Sequence, residues 1–318
     1  MSDATNNAMG NLMGNAAPPS NVVAGSPHAP ATTPQPFYWS VRRELWENRS
    51  IYIAPLAVGG LILLSFLARA AHLPARMRAA EALEAAEQSN ALAMPYVFTA
   101  LIIAVVALIV GFFYCLDALH GERRDRSILF WKSLPVSDLT AVLAKLSIPM
   151  LVVPAITFVT IVALQLIMRV LSTIVLGLNG MSAAPVWTQV PLPQMSLVLL
   201  YALVTNAIWY APIYGWLLLV SAWARRNTFL WAVFIPLGIA IVEAIVLHSG
   251  HFIKMVAHHF NSIESAFNLD PDNGSMITPL SAVAPGKFLA SPELWIGLAV
   301  AAAFLYATIQ LRRYRQPI

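Results

Sequence analysis

Two stretches of this 318-residue chain gather side chains that could do chemistry. Between residues 117 and 145, Glu122, Arg123, Arg124, Asp125 and Arg126 precede an apolar cluster from Ile128 to Trp131, which includes Phe130. Lys132 and a Pro-Val-Ser-Asp turn follow. Acids and guanidiniums beside exposed aromatics suit recognition of another protein: charge complementarity sets the register and the rings pack. The second stretch holds His248, His251, His258 and His259. On one unbroken helix His248, His251, Met255 and His258 would share a face, a donor set suited to a soft or borderline metal. The plainer reading is a solvated interfacial helix, and no metal is assigned.

Single residues add less. Glu243 is the one acid well inside an apolar run, where a carboxylate at the bilayer centre costs roughly 2.5–3.5 kcal/mol. It sits about a turn from the run's outer end, at ~1.5 Å per residue, so it either reaches water or lines a pathway. Asn206 can hydrogen-bond a neighbouring helix, and Trp209, with the aromatics after it, either packs or lines a pathway. Cys115, the only cysteine, cannot form an internal disulfide and reads as a small buried hydrophobe. The chain has no phosphate-binding Gly-rich loop ending in Lys-Ser/Thr, no His-Glu-x-x-His helix and no Gly-x-Ser-x-Gly elbow. No catalytic residue and no cofactor is assigned to it.

The elements that position these residues follow from composition. The chain is 58% hydrophobic and 11% charged, against roughly 25% charged in soluble domains, so an all-α membrane protein is expected. Residues 1 to 36 are rich in Ala, Asn, Pro, Ser and Gly and are expected to be disordered; they lack the basic start and apolar core of a signal peptide. Residues 37 to 50 form an amphipathic helix, with Phe37, Val41 and Leu45 on one face and Ser40, Arg43, Glu44 and Glu47 on another. Trp39 and Trp46 beside Arg42 and Arg49 suit the lipid headgroup region. Six transmembrane helices are expected at about 51–70, 94–116, 139–168, 195–223, 228–247 and 293–311. The third apolar run is too long for one straight span. Pro149 and Pro154 predict a kink, Arg169 marks the far interface, and 171–178 would lie along or re-enter the membrane, with a loop over 179–194.

Thirteen of the nineteen Lys and Arg fall in one set of loops and termini, which is therefore cytoplasmic and holds both ends of the chain. Net charge is only +4, and no nucleic-acid partner is expected. The 117–145 stretch then lies in the cytoplasm between spans two and three. Gly121 could end the second span, Ser127 could cap a short helix closed by Pro135, and Ser137 or Asp138 could cap the third span. Positive-inside charge explains the arginines but not Glu122, Asp125 or the apolar cluster.

The run from Glu122 to Asp138, with Leu134-Pro-Val-Ser137 and then Lys145, resembles the cytoplasmic loop of permease subunits of ATP-binding-cassette (ABC) transporters of the type-2 export family. The helix at 37–50 is similar to that family's connecting helix, and six spans with both ends inside match its topology. The resemblance covers roughly residues 37 to 315. It implies that 120–138 is a cytoplasmic coupling helix seated on a separate ATPase subunit, with Glu122, Arg123 and Arg126 pairing and Phe130 and Trp131 packing. It also implies ATP and magnesium in that partner, two permeases (homodimer or heterodimer) per transporter, a bacterial-type inner membrane, and export of a hydrophobic or amphipathic substrate. The long outer segment 248–287 departs from the pattern, so the identity of that substrate is not implied. The alternatives are a secondary transporter or channel without an ATPase, and a membrane-anchored metal-binding subunit.

Overall fold

A computed structural model describes residues 36–125, 137–259, 266–268 and 274–314. The chain is an all-α membrane protein, with six helical stretches long and apolar enough to cross a bilayer. The tail expected to be disordered lies outside the described residues, except for Pro36, which opens the first helix.

The amphipathic segment is helix α1 (Pro36–Glu47), and the first span α2 (Ser50–Arg69) follows almost at once. On α1, Val41 and Leu45 turn toward the core, while Trp39 and Trp46 stay exposed with the Arg42 guanidinium over both rings at 5.2 and 5.3 Å. This belt of cation and indole suits headgroups. A short helix, α3 (Leu73–Glu81), leads back to α4 (Ala85–Ala118), which carries the second span.

At the end of α4 the helix breaks at Leu119 and restarts as α5 (His120–Arg124). Gly121 lies inside α5 and does not end the span. The cause of the break is Ser221 on a neighbouring helix: its hydroxyl accepts the amides of Leu119 at 3.0 Å and His120 at 2.9 Å. It thereby satisfies two donors at the helix break.

Helix α6 (Asp138–Ser147) begins with Ser137, whose Oγ accepts the Thr140 amide at 3.1 Å. A single π turn, Ile148–Val152, then absorbs Pro149, and α7 (Val153–Leu178) continues without interruption. The helix therefore does not stop near Arg169, and 171–178 continues it as its last two turns. Arg169 is held inside the protein by carbonyls of the following segment and does not mark a helix end. The expected loop over 179–194 contains α8 (Ala184–Thr188) and already starts α9 (Leu192–Trp209).

The expected fourth span is two helices, α9 and α10 (Ala211–Trp223), meeting at Tyr210. Pro212 has no N–H to continue the ladder, so Tyr210 bonds back to Asn206 and starts a new turn with Tyr214. Helix α11 (Thr228–Val246) carries the fifth apolar run and buries only Ala232. It is fastened near its start by Trp223 against Trp231, Phe113 against Phe229, and the Trp216 indole N–H to the Ala232 carbonyl.

The last span, α14 (Pro292–Tyr314), packs on α10 through small residues. A Cβ on Gly215 would stand 3.3 Å from the Ala301 carbonyl, and one on Gly297 would meet Pro212. Gly297 and Ala301 are four apart, the spacing that lets helices approach closely in lipid. Between α11 and α14 the chain folds back over the bundle. It forms α12 (His251–His259) and α13 (Pro285–Ala290) and pairs Phe267 with Val283. This excursion reads as polar, yet Ala266, Phe267 and Phe288 are buried and join the core of α4, α9 and α10.

Candidate functional site

Four separate segments converge at the end of the bundle that carries most of the Lys and Arg. Lys145, on α6, is 2% exposed. Its Nζ donates to Glu44 Oε1 of α1 at 2.7 Å and lies 3.2 Å from Glu122 Oε1 of α5. The other oxygen of Glu44 accepts the Tyr114 hydroxyl at 2.8 Å. Glu122 Oε2 accepts Arg312 Nη1 of α14 at 2.6 Å, and Arg43 Nη2 of α1 lies 3.6 Å from its Oε1. Arg312 also donates, through Nε, to Asp138 Oδ1 at 3.1 Å. Arg43 also donates through Nε to Glu47 at 2.6 Å, so three cations and four carboxylates form one connected cluster. Buried charges persist only when paired and hydrogen-bonded, and here each carboxylate is matched by at least one cation.

The helices aim these groups by ordinary periodicity. Glu44 flanks the Val41–Leu45 stripe of α1 and is carried inward with it, against α6. Lys145 lies two turns into α6, between the buried Ala144 and the partly buried Leu146, so its ammonium must find anions inside the protein. Arg312 sits in the final turns of α14, where the helix end favours a cation. Arg123 has a similar role one helix away. It is 6% exposed, and its Nη1 donates to the carbonyls of Ala222 at 2.6 Å and Ala224 at 3.2 Å, at the end of α10.

Glu122 and Arg123, expected to face a partner, are therefore turned inward and engaged by the chain itself. Arg126, Phe130 and Trp131 lie outside the described residues, as does the expected capping of a short helix by Ser127. The cluster joins both flanks of the 126–136 segment, Glu122 before it and Asp138 after it, to the interfacial helix and to the last span. Chemically it is a joint: it holds helices at fixed spacing.

The opposite end of the bundle disperses the histidines. His248 has a left-handed backbone (φ 47°), and α12 begins only at His251. His251 Nδ1 lies 3.6 Å from Glu243 and His258 Nε2 lies 2.9 Å from Glu293, so the two engage different acids, and of the expected shared face His251, Met255 and His258 remain on α12 without His248. Among the described residues no three His, Cys, Asp or Glu side chains could together hold a metal. Glu243 works as a cap. Its carboxylate accepts the amides of His251 and Phe252, each at 2.8 Å, and the Ser249 hydroxyl at 2.7 Å. An acid at a helix N-terminus satisfies orphan donors and complements the dipole.

Trp209 is fully buried. Its indole donates to the His259 carbonyl at 2.9 Å, stacks on the His259 ring at 5.1 Å and tilts against Phe288. It anchors the folded-back segment to the bundle. Burial lowers the His259 pKa below the usual imidazole value. Asn206 is half-buried a turn before Trp209, and its carbonyl accepts the Tyr210 amide.

No protein-family model matches this chain, and no curated protein or solved structure matches it.

Glu44, Tyr114, Asp138 and Arg312 were not singled out as site residues from the sequence. Two signals pointed to them. Glu44 stands beside an apolar stripe, and Lys145 is a cation inside an apolar run, which demands a carboxylate nearby.

Proposed function

We propose that this chain is the membrane-spanning permease subunit of an ABC exporter, driven by ATP hydrolysed on a separate subunit that docks on the cytoplasmic loop between spans two and three. The observation that carries the reading is the buried charge cluster. Glu122 and Asp138 bracket that loop, and both are bonded to Arg312, while Glu122 also meets Lys145 and Arg43. A force applied to the loop by a docked motor would therefore reach α1, α6 and α14 together. The likeness of residues 122–138 and Lys145 to type-2 export permeases supports the same reading, as does the crowding of Lys and Arg at this end. Two such chains with two ATPase subunits, in the inner membrane of a bacterial-type cell, complete the transporter. ATP and magnesium belong to the partner.

In this reading Glu122 and Arg123 transmit, and the docking contacts fall to Arg126, Phe130 and Trp131. The test is co-purification with the ATPase subunit, followed by ATPase assays of the reconstituted complex. Arg126→Glu and Phe130→Ala should each weaken ATPase retention or abolish permease-dependent stimulation, while thermal unfolding of the permease stays unchanged. Full retention and stimulation in both variants, or transport by the chain alone in liposomes without any ATPase, would overturn the proposal.

A further inference from the structure

Arg169 is a buried cation on α7. It is 4% exposed, yet no carboxylate among the described residues pairs with it. Its Nη2 donates to the carbonyls of Val186, at 2.9 Å, and Val190, and the Trp187 ring covers it with its centroid 4.6 Å from Cζ. Its Nε is buried and makes no hydrogen bond. Carbonyl dipoles and a ring face ease a guanidinium but leave its full charge without a counter-ion.

Beside it lies a cavity of about 250 Å³ between α7, α8 and the start of α9. Its polar lining is Arg169, Gln165 and Ser196; its apolar lining includes Val162, Leu166 and Trp187. The two sets are placed differently. Gln165 and Arg169 are buried, whereas Leu166 and Trp187 are about half exposed and form an outward-facing apolar rim. Depth fits this asymmetry. Thirty residues separate Leu139 from Arg169, about 45 Å of helix at ~1.5 Å per residue, close to the ~40–45 Å of a bilayer with its headgroups. Arg169 therefore stands at headgroup level in the leaflet opposite the charge cluster, and the rim faces the acyl region.

We infer that this cavity binds the phosphate group of an anionic amphiphile. The Arg169 guanidinium and the Ser196 hydroxyl can donate to its oxygens, and the apolar chain can lie over Leu166 and Trp187. Guanidinium–phosphate pairs are short, charge-assisted and directional. A cavity of this size takes a headgroup, with the chains left outside. The inference does not rest on the partner ATPase and stands whether or not the proposed function holds.

The test is native mass spectrometry of the full-length chain, released from micelles holding equal dimyristoyl phosphatidylglycerol and dimyristoyl phosphatidylcholine. The parent should keep one phosphatidylglycerol per chain with about tenfold preference, the scale of one charge-assisted contact. Arg169→Gln should lose that preference. Because this variant also weakens the hold on α8, Ser196→Trp provides the independent check: it fills the cavity and leaves the Arg169 carbonyl bonds intact, and it too should lose the lipid. Lys254→Gln, which removes an exposed cation from α12, should keep it. Equal retention of the two lipids by the parent, or an undiminished preference in Ser196→Trp, overturns the site. Inorganic phosphate in millimolar excess separates the sources. Failure to displace the lipid supports the amphiphile, and complete displacement overturns it in favour of free phosphate.

Discussion

Removing the Lys145 ammonium should cost more stability than removing any surface charge in the protein, and a second substitution should give much of it back. In Lys145→Met the stem volume survives and the charge goes. Glu122 keeps Arg312 at 2.6 Å and Arg43 at 3.6 Å, so it remains compensated. Glu44 keeps only the Tyr114 hydroxyl, a neutral donor, and becomes a buried carboxylate without a cation. Stranding one member of a buried pair costs about 3–5 kcal/mol; with one of the two acids still compensated, about 3 kcal/mol is expected. For a chain of this size that corresponds to a fall of roughly 4–5 °C in the unfolding midpoint. Glu44→Gln keeps an acceptor for Tyr114 and removes the stranded charge. Glu44→Gln/Lys145→Met should therefore recover about 2 kcal/mol, since removing both members of a buried pair is often close to neutral. The assay is thermal unfolding of the detergent-solubilised full-length chain, followed by tryptophan fluorescence, for both single variants and the double. A drop of less than about 1 kcal/mol for Lys145→Met, or strictly additive effects around the cycle, would refute the cluster as the element that fixes this end of the bundle.

Two further outcomes follow from the packing and titration of other groups. Gly215→Leu should lower the unfolding midpoint by about 1–3 kcal/mol equivalent, because even a Cβ there meets the Ala301 carbonyl at 3.3 Å; Gly238→Leu, at a position with open space around it, is the control in the same measurement. The lowered His259 pKa makes the unfolded chain the better proton acceptor below the ordinary imidazole pKa of about 6.5. Stability from burying the neutral ring is thus fully present above that pH and declines as pH falls toward the lowered folded-state value. His259→Phe keeps a ring against Trp209 and should flatten the pH dependence of the midpoint below about pH 6.5 relative to the parent. An unchanged slope would show that His259 does not titrate in place.

Much of the fold was legible because a bilayer enforces it. Long apolar runs have no alternative to helix when lipid offers no hydrogen bonds, so six spans could be placed from hydropathy alone. Where a tertiary contact competes with a local signal, the local reading failed. Gly121 looked like a helix terminator, but the break two residues earlier belongs to Ser221, about a hundred positions away. Arg169 looked like the end of a span, but the carbonyls of Val186 in α8 and of Val190 take its guanidinium and the helix runs on to Leu178. Glu122 stood out correctly as chemistry that topology could not explain. Its direction was not legible, because its partners Arg43, Lys145 and Arg312 come from three other helices. The histidines failed as a group for a local reason, the left-handed turn at His248 that starts α12 late.

The buried core of the joint, Lys145 and Arg312 with Glu44 and Glu122, carries equal numbers of positive and negative charges. Each uncompensated elementary charge carried across 100 mV costs or yields about 2.3 kcal/mol. A joint that travels as a neutral unit exchanges no such work with the membrane. Movement of this buried core is therefore electrically silent, and what drives it acts mechanically or through ligand binding rather than through the resting potential.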